Sequence, residues 1–225
     1  MRFEVEERGE DVKVSEIFYS IEGEGTEIGR PEVFTRLAGC NLRCEWCDTK
    51  YAWSNGEEMS VAEIIQEVQR YPCKSISITG GEPLLQKEEL LELILGLKDL
   101  DYWIQLNTNG TIFDQKTLEL VDLISMDCKC PSSKMESKLD VLEKTKKLFG
   151  AKTQFKFVIS NEEDYEYAKA IIRSHLQEMS RIVFQPEWNN REFARKLVDL
   201  VKRDTLNART ILQQQKVIWG IRRRV

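Results

Sequence analysis

Cys40-Asn41-Leu42-Arg43-Cys44-Glu45-Trp46-Cys47 spaces three thiols as C-x3-C-x2-C, directly after a short apolar run at 33–37 that reads as a strand. Three thiolates this close in sequence can wrap one face of an iron-sulfur cube, and three protein ligands leave one iron open to bind and reduce a small molecule. A closed structural zinc site needs a fourth ligand. The only histidine, His175, lies far along the chain, and no second cysteine pair stands at finger spacing. Cys128 or Cys130 would have to complete such a site. The open cluster is preferred over that zinc site and over three incidental thiols.

The bulk numbers bound the setting. The chain has 225 residues, 41% of them hydrophobic, which suits one domain with a full core and no need of disulfides. Lys plus Arg number 33 against 38 Asp plus Glu, for a net charge of -5, which argues against a nucleic-acid-coating protein. No basic and apolar leader opens the chain, and no run approaches the ~18 apolar residues that cross a bilayer. The expected location is therefore cytoplasmic. In that reducing compartment six cysteines point to metal or redox chemistry rather than to disulfides.

Outward from the cysteine loop, β-rich runs alternate with longer helical patterns and no linker separates them, as in repeated βα units. Strands are expected at 33–37, 75–79, 103–107, 123–127, 155–160 and 181–185. The intervening segments follow the helical period, for example Val61, Ile64, Ile65 and Val68, then Leu90, Leu91, Ile94, Leu95 and Leu97. Ser60 with Glu63 forms a capping box, and Asn161 precedes an acidic first turn. The division expected is a single domain over 1–225, with an N-terminal extension at 1–30, a βα core at 31–205 and a C-terminal segment at 206–225. The extension carries Ile17-Phe18-Tyr19 and then the Gly-rich Glu22-Gly23-Glu24-Gly25, read as a strand or hairpin entering a loop.

The cysteine loop after the first core strand resembles the hallmark of the radical S-adenosylmethionine (SAM) superfamily. That resemblance implies an α/β fold, a partial (βα)6 TIM-like barrel with a short N-terminal extension, a 4Fe-4S cluster on Cys40, Cys44 and Cys47, and SAM. Gly80-Gly81-Glu82-Pro83 is similar to the superfamily segment whose backbone holds the SAM methionyl group, and glycines allow such close approach. Asn107-Thr108-Asn109-Gly110 ends the third strand, on the side where barrel ligands collect. Glu82, Asn107, Asn109, Lys129 and Gln185 join Gly81 as expected cofactor contacts.

Across nearly the whole chain the sequence further resembles the 7-carboxy-7-deazaguanine synthases. The matching residues are the 17–25 segment, Gly29-Arg30-Pro31, residues 33–40 and Cys47-Asp48-Thr49. This resemblance implies a reaction in which a 5'-deoxyadenosyl radical abstracts hydrogen from 6-carboxy-5,6,7,8-tetrahydropterin, which contracts its ring and loses ammonia. No side chain is assigned as catalytic, since the radical is the reagent. Glu22, Gly23, Glu24, Arg36 and Gly80 are the implied substrate contacts. Glu24 would accept paired N-H donors from the pyrimidine edge, and Arg36 would grip the carboxylate. Thr49 inherits a Mg2+ ligand role by position, a hydroxyl being suited to a hard cation. The resemblance also implies a homodimer and a reductant such as flavodoxin or ferredoxin.

Some segments depart from that pattern. Asn107 stands where many members have Glu, and Asp127-Cys128-Lys129 replaces the commoner Ser-Pro-Lys. Gln213-Gln214-Gln215-Lys216 replaces a Gln, His and Lys segment and is left outside the expected site. Lys156 alternates with apolar neighbours, so it points either into the barrel or to solvent. Cys73 reads as a small packed residue, Arg30 as structural, His175 as helix surface, and Arg222-Arg223-Arg224 as a solvated tail. Two rivals to the enzyme reading stand beside it: an activase of a glycyl-radical enzyme, and a zinc-stabilised binding module.

Overall fold

The computed structural model describes residues 11–225; the first ten residues of the expected N-terminal extension lie outside the described residues. From there the chain enters β1 (Val12–Ile21), which turns through a loop into β2 (Pro31–Leu37) and pairs with it antiparallel. Two short backbone bonds close that loop, Glu22 N-H to Arg30 O at 2.7 Å and Gly29 N-H to Glu22 O at 2.7 Å. The cysteine loop follows β2, and then β3 (Glu57–Met59) returns to pair on the outer side of β1.

A run of βα units comes next: α1 (Val61–Val68), β4 (Ser75–Gly80), α2 (Lys87–Asp99), β5 (Trp103–Thr108), α3 (Gln115–Leu120) and β6 (Leu123–Cys128). The chain continues with α4 (Leu139–Phe149), β7 (Thr153–Ile159), α5 (Glu162–His175), β8 (Ile182–Pro186), α6 (Phe193–Arg203), β9 (Arg209–Thr210) and α7 (Gln214–Trp219). The sheet order is β3-β1-β2-β4-β5-β6-β7-β8-β9, parallel from β2 onward. It ends on two very short edges, the open form of a partial barrel, and short edges resist pairing with another chain. The six core strands fall at the expected places. β3 and β9 add the edges, and at three and two residues they carry too little periodicity to be read from sequence.

The local rules hold where they were expected. Ser60 accepts from Glu63 N-H while Glu63 accepts from Ser60 N-H, and Asn161 accepts from Asp164 N-H at 2.9 Å. Alternation along the strands sorts two faces. Ile76, Ile78, Ile104, Leu106, Ile124, Met126, Phe155 and Phe157 are all at most 1% exposed and pack in the hydrophobic core, each stabilising by about 1.5–3 kcal/mol. Between them stand Ser77, Gln105, Asn107, Ser125, Asp127, Gln154 and Lys156. Asn107, Ser125, Asp127 and Lys156 of this second face border a cavity, and its members bond to one another, as in Asn107 to Ser77 Oγ at 2.8 Å and Gln154 to Ser125 Oγ at 2.8 Å. Among the described residues no helix is long and apolar enough to cross a membrane.

Candidate active site

Parallel strands leave their C-terminal ends together, so the loops after β2, β4, β5, β6 and β8 meet at one rim. They enclose a cavity of about 700 Å³, lined among others by Cys40, Cys44 and Cys47 of the loop after β2, by Glu24 of the β1–β2 loop and by Arg36 of β2. Ligand pockets commonly fall in this size range.

The thiol end depends on close backbone contact. Gly81 N-H donates to Leu37 O at 3.1 Å, and Glu82 N-H donates to Gly39 O at 2.7 Å. A Cβ on Gly81 would lie 2.0 Å from Gly39 O and 2.8 Å from Cys40 Cβ, and one on Gly80, whose φ is +153°, would lie 2.2 Å from Leu37 O. The two glycines thus let the second crossover loop press against the cysteine loop. Asn109 Nδ2 donates to Asn41 Oδ1 at 2.8 Å and stands 3.9 Å from Cys40 Sγ. Leu42 N-H points at Cys40 Sγ at 3.4 Å, and Trp46 Nε1 donates to Ser132 Oγ at 3.1 Å.

The donor set fits a cluster with an open corner. None of the three thiols is in a disulfide, and all three face the same cavity. Burial pushes the Cys44 and Cys47 thiols up, as expected of sulfurs that lose their protons only when metal binds. The Lys129 ammonium lies near enough to Cys44 to favour its thiolate. Cys128 and Cys130 are at most 4% exposed, pack in the apolar core and do not line the cavity, so neither is placed to complete a zinc site. Cys73 is partly buried against the core, as read from sequence.

The Glu82 side chain is engaged within the protein. It is fully buried, and its carboxylate accepts from Leu84 N-H at 3.0 Å, Asn109 N-H at 2.6 Å and Thr108 Oγ1 at 2.9 Å. Its role is to staple the loop after β4 to the end of β5. Gly80, Gly81, Asn107 and Asn109 do line the cavity, as does Lys129, which pairs with Asp127 at 2.8 Å. Gln185 lines it too, 3% exposed, and its Oε1 has no hydrogen-bond partner among the described residues. Such a buried acceptor suits a ligand N-H or O-H.

At the other end, Glu22, Gly23 and Glu24 sit on the β1–β2 loop. Glu24 Oε2 accepts from Lys156 Nζ at 2.6 Å and Oε1 from Gln213 Nε2 at 2.7 Å. Glu22 accepts from Glu24 N-H at 3.0 Å and Gln105 Nε2 at 2.6 Å. Arg36 lies opposite Glu16 in the β1–β2 pairing and donates to it through Nε at 2.8 Å. Thr49 borders the cavity, with its hydroxyl donating to Asp48 Oδ1 at 2.9 Å.

The C-terminal segment closes this end, which sequence reading left out. Gln214 N-H donates to Gly23 O at 2.9 Å, Lys216 pairs with Asp48, and the Gln215 side chain covers Gly23 so closely that a Cβ there would meet its Oε1 at 1.8 Å. The arginine tail is solvent-exposed, as expected, but two of its three members also form ion pairs. Arg223 and Arg224 both donate to Glu16 Oε2, at 3.0 and 3.1 Å, and the Arg223 guanidinium lies 3.6 Å from the Tyr51 ring centre. Tyr51 Oη completes the shell of Glu16 at 2.7 Å. Glu16, Tyr51, Asp127, Lys156, Gln213, Gln215 and Lys216 are thus cavity residues absent from the expected set. Only Lys156 left a signal in the sequence, its place between two apolar neighbours.

These buried carboxyls make stability depend on pH. Burial raises Glu22 and Glu82 to about 7 and Glu32 to about 8, from an ordinary 4.5. The folded protein therefore holds protons that the unfolded chain releases above pH ~4.5, and stability falls as pH rises through 7–8. Glu16 runs the other way: burial raises it, but bonds from Tyr51, Arg36 and Arg224 outweigh burial and hold it at about 2. Its contribution is present above 4.5 and is lost as pH falls toward 2. Urea unfolding is expected to show greater stability at pH 5.5 than at 8.5, by on the order of a few kcal/mol.

The fold and the three-thiol cavity define a class. Residues 35–195 match the radical SAM superfamily, and the chain belongs to it. The structure is similar to that of QueE from Escherichia coli, with a TM-score of 0.73 and 23% identity over 91% of this chain and 94% of that one. It is also similar to Streptococcus suis SuiB bound to S-adenosylmethionine, with a TM-score of 0.55 and 16% identity over 77% of this chain and 48% of that one. Among curated relatives, the 7-carboxy-7-deazaguanine synthase of Koribacter versatilis is 35% identical over 92% of this chain and 97% of its own length. That of Methanospirillum hungatei is 40% identical over 73% of this chain and 68% of its own length. Within the superfamily the chain belongs to the 7-carboxy-7-deazaguanine synthase family.

Proposed function

We propose that this chain, working as one radical SAM domain, converts 6-carboxy-5,6,7,8-tetrahydropterin to 7-carboxy-7-deazaguanine with loss of ammonia, a lyase step of 7-deazapurine (queuosine or archaeosine) biosynthesis. The observation that carries the reading is that one cavity is lined both by the three thiols and by a carboxylate and a guanidinium, Glu24 and Arg36. With a 4Fe-4S cluster on Cys40, Cys44 and Cys47 and SAM in place, the chemistry supplied is reductive formation of a 5'-deoxyadenosyl radical.

The chain's own residues bind, orient and exclude water. Glu24 is suited to the aminopyrimidine edge and Arg36, whose Nε is engaged by Glu16 and which borders the cavity, to the substrate carboxylate. Gly80, Gly81, Asn107, Asn109 and Lys129 border the space for the SAM amino acid moiety, and Gln185 offers its unpaired carbonyl to the nucleoside. Thr49 would offer its hydroxyl to Mg2+ near the carboxylate. Residues 213–216 roof the substrate end.

A flavodoxin or ferredoxin serves as reductant in this reading, and the setting is cytoplasmic. A homodimer would cover the exposed Val217, Ile218 and Ile221 of the C-terminal segment. The test is anaerobic incubation of reconstituted, reduced protein with SAM, Mg2+ and the carboxypterin. Formation of the deazaguanine with 5'-deoxyadenosine is expected. SAM cleavage that never yields the deazaguanine would instead favour the activase of a glycyl-radical enzyme.

A further inference from the structure

We propose that Lys156 is a positioning residue that fixes the charge and direction of Glu24, so that Glu24 presents an ionised carboxylate to the substrate's amino edge. This rests on the functional reading above. Phe155 and Phe157 are fully buried in the core, so strand alternation sends Lys156 to the opposite face, into the cavity. Its ammonium lies 2.6 Å from Glu24 Oε2 and 3.3 Å from Asp127 Oδ1, and Asp127 is 2.8 Å from Lys129. The four charges alternate along the floor, from the substrate end toward the thiols.

The need for this cation comes from Glu22. Glu22 is 5% exposed, its carboxylate bonds among the described residues only to the Glu24 N-H and the Gln105 amide, and it lies close enough to Glu24 for the two to repel. Two buried carboxylates this close do not both ionise without a countercharge. Among the described residues Lys156 is the one charged group hydrogen-bonded to Glu24; the other partners, Gln213 and Gln215, are neutral amides. Of the other cations that line the cavity, Lys216 pairs with Asp48, Lys129 with Asp127, and Arg36, Arg223 and Arg224 with Glu16, while Lys50 and Arg222 make no hydrogen bond to Glu24; the Asp48 carboxylate, like Glu22, repels Glu24. Lys156 therefore decides which acid holds the charge: Glu24 keeps it, and Glu22 holds the proton more tightly.

The test is binding of 7-carboxy-7-deazaguanine, whose guanine-like edge carries paired N-H donors, to reconstituted holoenzyme by anaerobic calorimetry. Relative to wild type, Lys156→Met is expected to bind about 10- to 100-fold more weakly at pH 6.5. The gap should narrow at pH 8.5, because loss of the cation raises Glu24 and a higher pH works against that rise. Lys156→Arg, which keeps the charge, should stay within about threefold of wild type. Adding Lys156→Met to Glu24→Gln should cost little more than Glu24→Gln alone, because the lysine acts through the acid. Should Lys156→Met fail to fold, Lys156→Gln is read the same way. A loss equal at both pH values and additive with Glu24→Gln would overturn the inference, as would an unchanged affinity. If wild type itself does not bind the product, the functional reading falls and this inference falls with it.

Discussion

Replacing Cys40, Cys44 and Cys47 together by alanine is expected to abolish iron binding and product formation while leaving the fold in place. After anaerobic reconstitution, wild type should hold about four irons per chain with absorption near ~400 nm, and the triple variant essentially none. All three thiols sit on a loop beyond the end of β2 and face the cavity, whereas the packed core lies beneath the helices on the other side of the sheet. Cys40 and Cys47 are only partly buried. The fold therefore does not rest on the thiols, and circular dichroism should be nearly unchanged. Each single variant should lose activity by ~10³-fold or more, because two thiolates cannot hold a cube that needs three. Retained iron in the triple variant would mean that the cluster is held elsewhere.

Gly81→Val should be almost as damaging although its side chain touches no ligand. The new Cβ would fall 2.0 Å from Gly39 O, a backbone atom on the cysteine loop that cannot swing aside as a flexible side chain can. Either the loop after β4 retreats, breaking the Gly81 to Leu37 and Glu82 to Gly39 backbone bonds, or the cysteine loop moves and takes Cys40 with it. Both routes also disturb Glu82, whose buried carboxyl is satisfied only in the present geometry. A cost of about 3 kcal/mol or more in stability is expected, together with loss of most cluster incorporation. Thermal unfolding and iron content check this together. Gly150→Ala is the control, since a Cβ there meets only the Met179 side chain, at 3.3 Å.

The sequence showed most of the scaffold because the strands are apolar on the helix-facing side and separated by periodic helices. Positions such as Ile76 and Ile78, or Ile104 and Leu106, announce the alternation by themselves. The cysteine loop was equally plain, since short-range spacing is visible in one line of residues. What stayed hidden was set by distance along the chain. Glu24 meets Gln213 from 189 residues away, and Glu16 meets Arg223 from 207 residues away. The run of three arginines is solvent-exposed as it reads, and only the fold shows that Arg223 and Arg224 reach the buried Glu16. The partners of Glu82 were hidden for a related reason: a motif names the residue, but only the fold shows that Leu84, Thr108 and Asn109 bond its carboxylate. The departure at Asp127 has a physical sense as well, since it supplies the acid between Lys129 and Lys156.

The most direct test of the central claim is the electron paramagnetic resonance spectrum of the reduced, reconstituted protein recorded before and after SAM is added. A cluster held by three thiolates with one iron open should change its spectrum on addition, because the amino acid moiety takes the vacant position. A cluster signal that SAM leaves untouched, in protein shown to bind SAM, would mean that no iron is open and would contradict the assignment of Cys40, Cys44 and Cys47 as its only protein ligands.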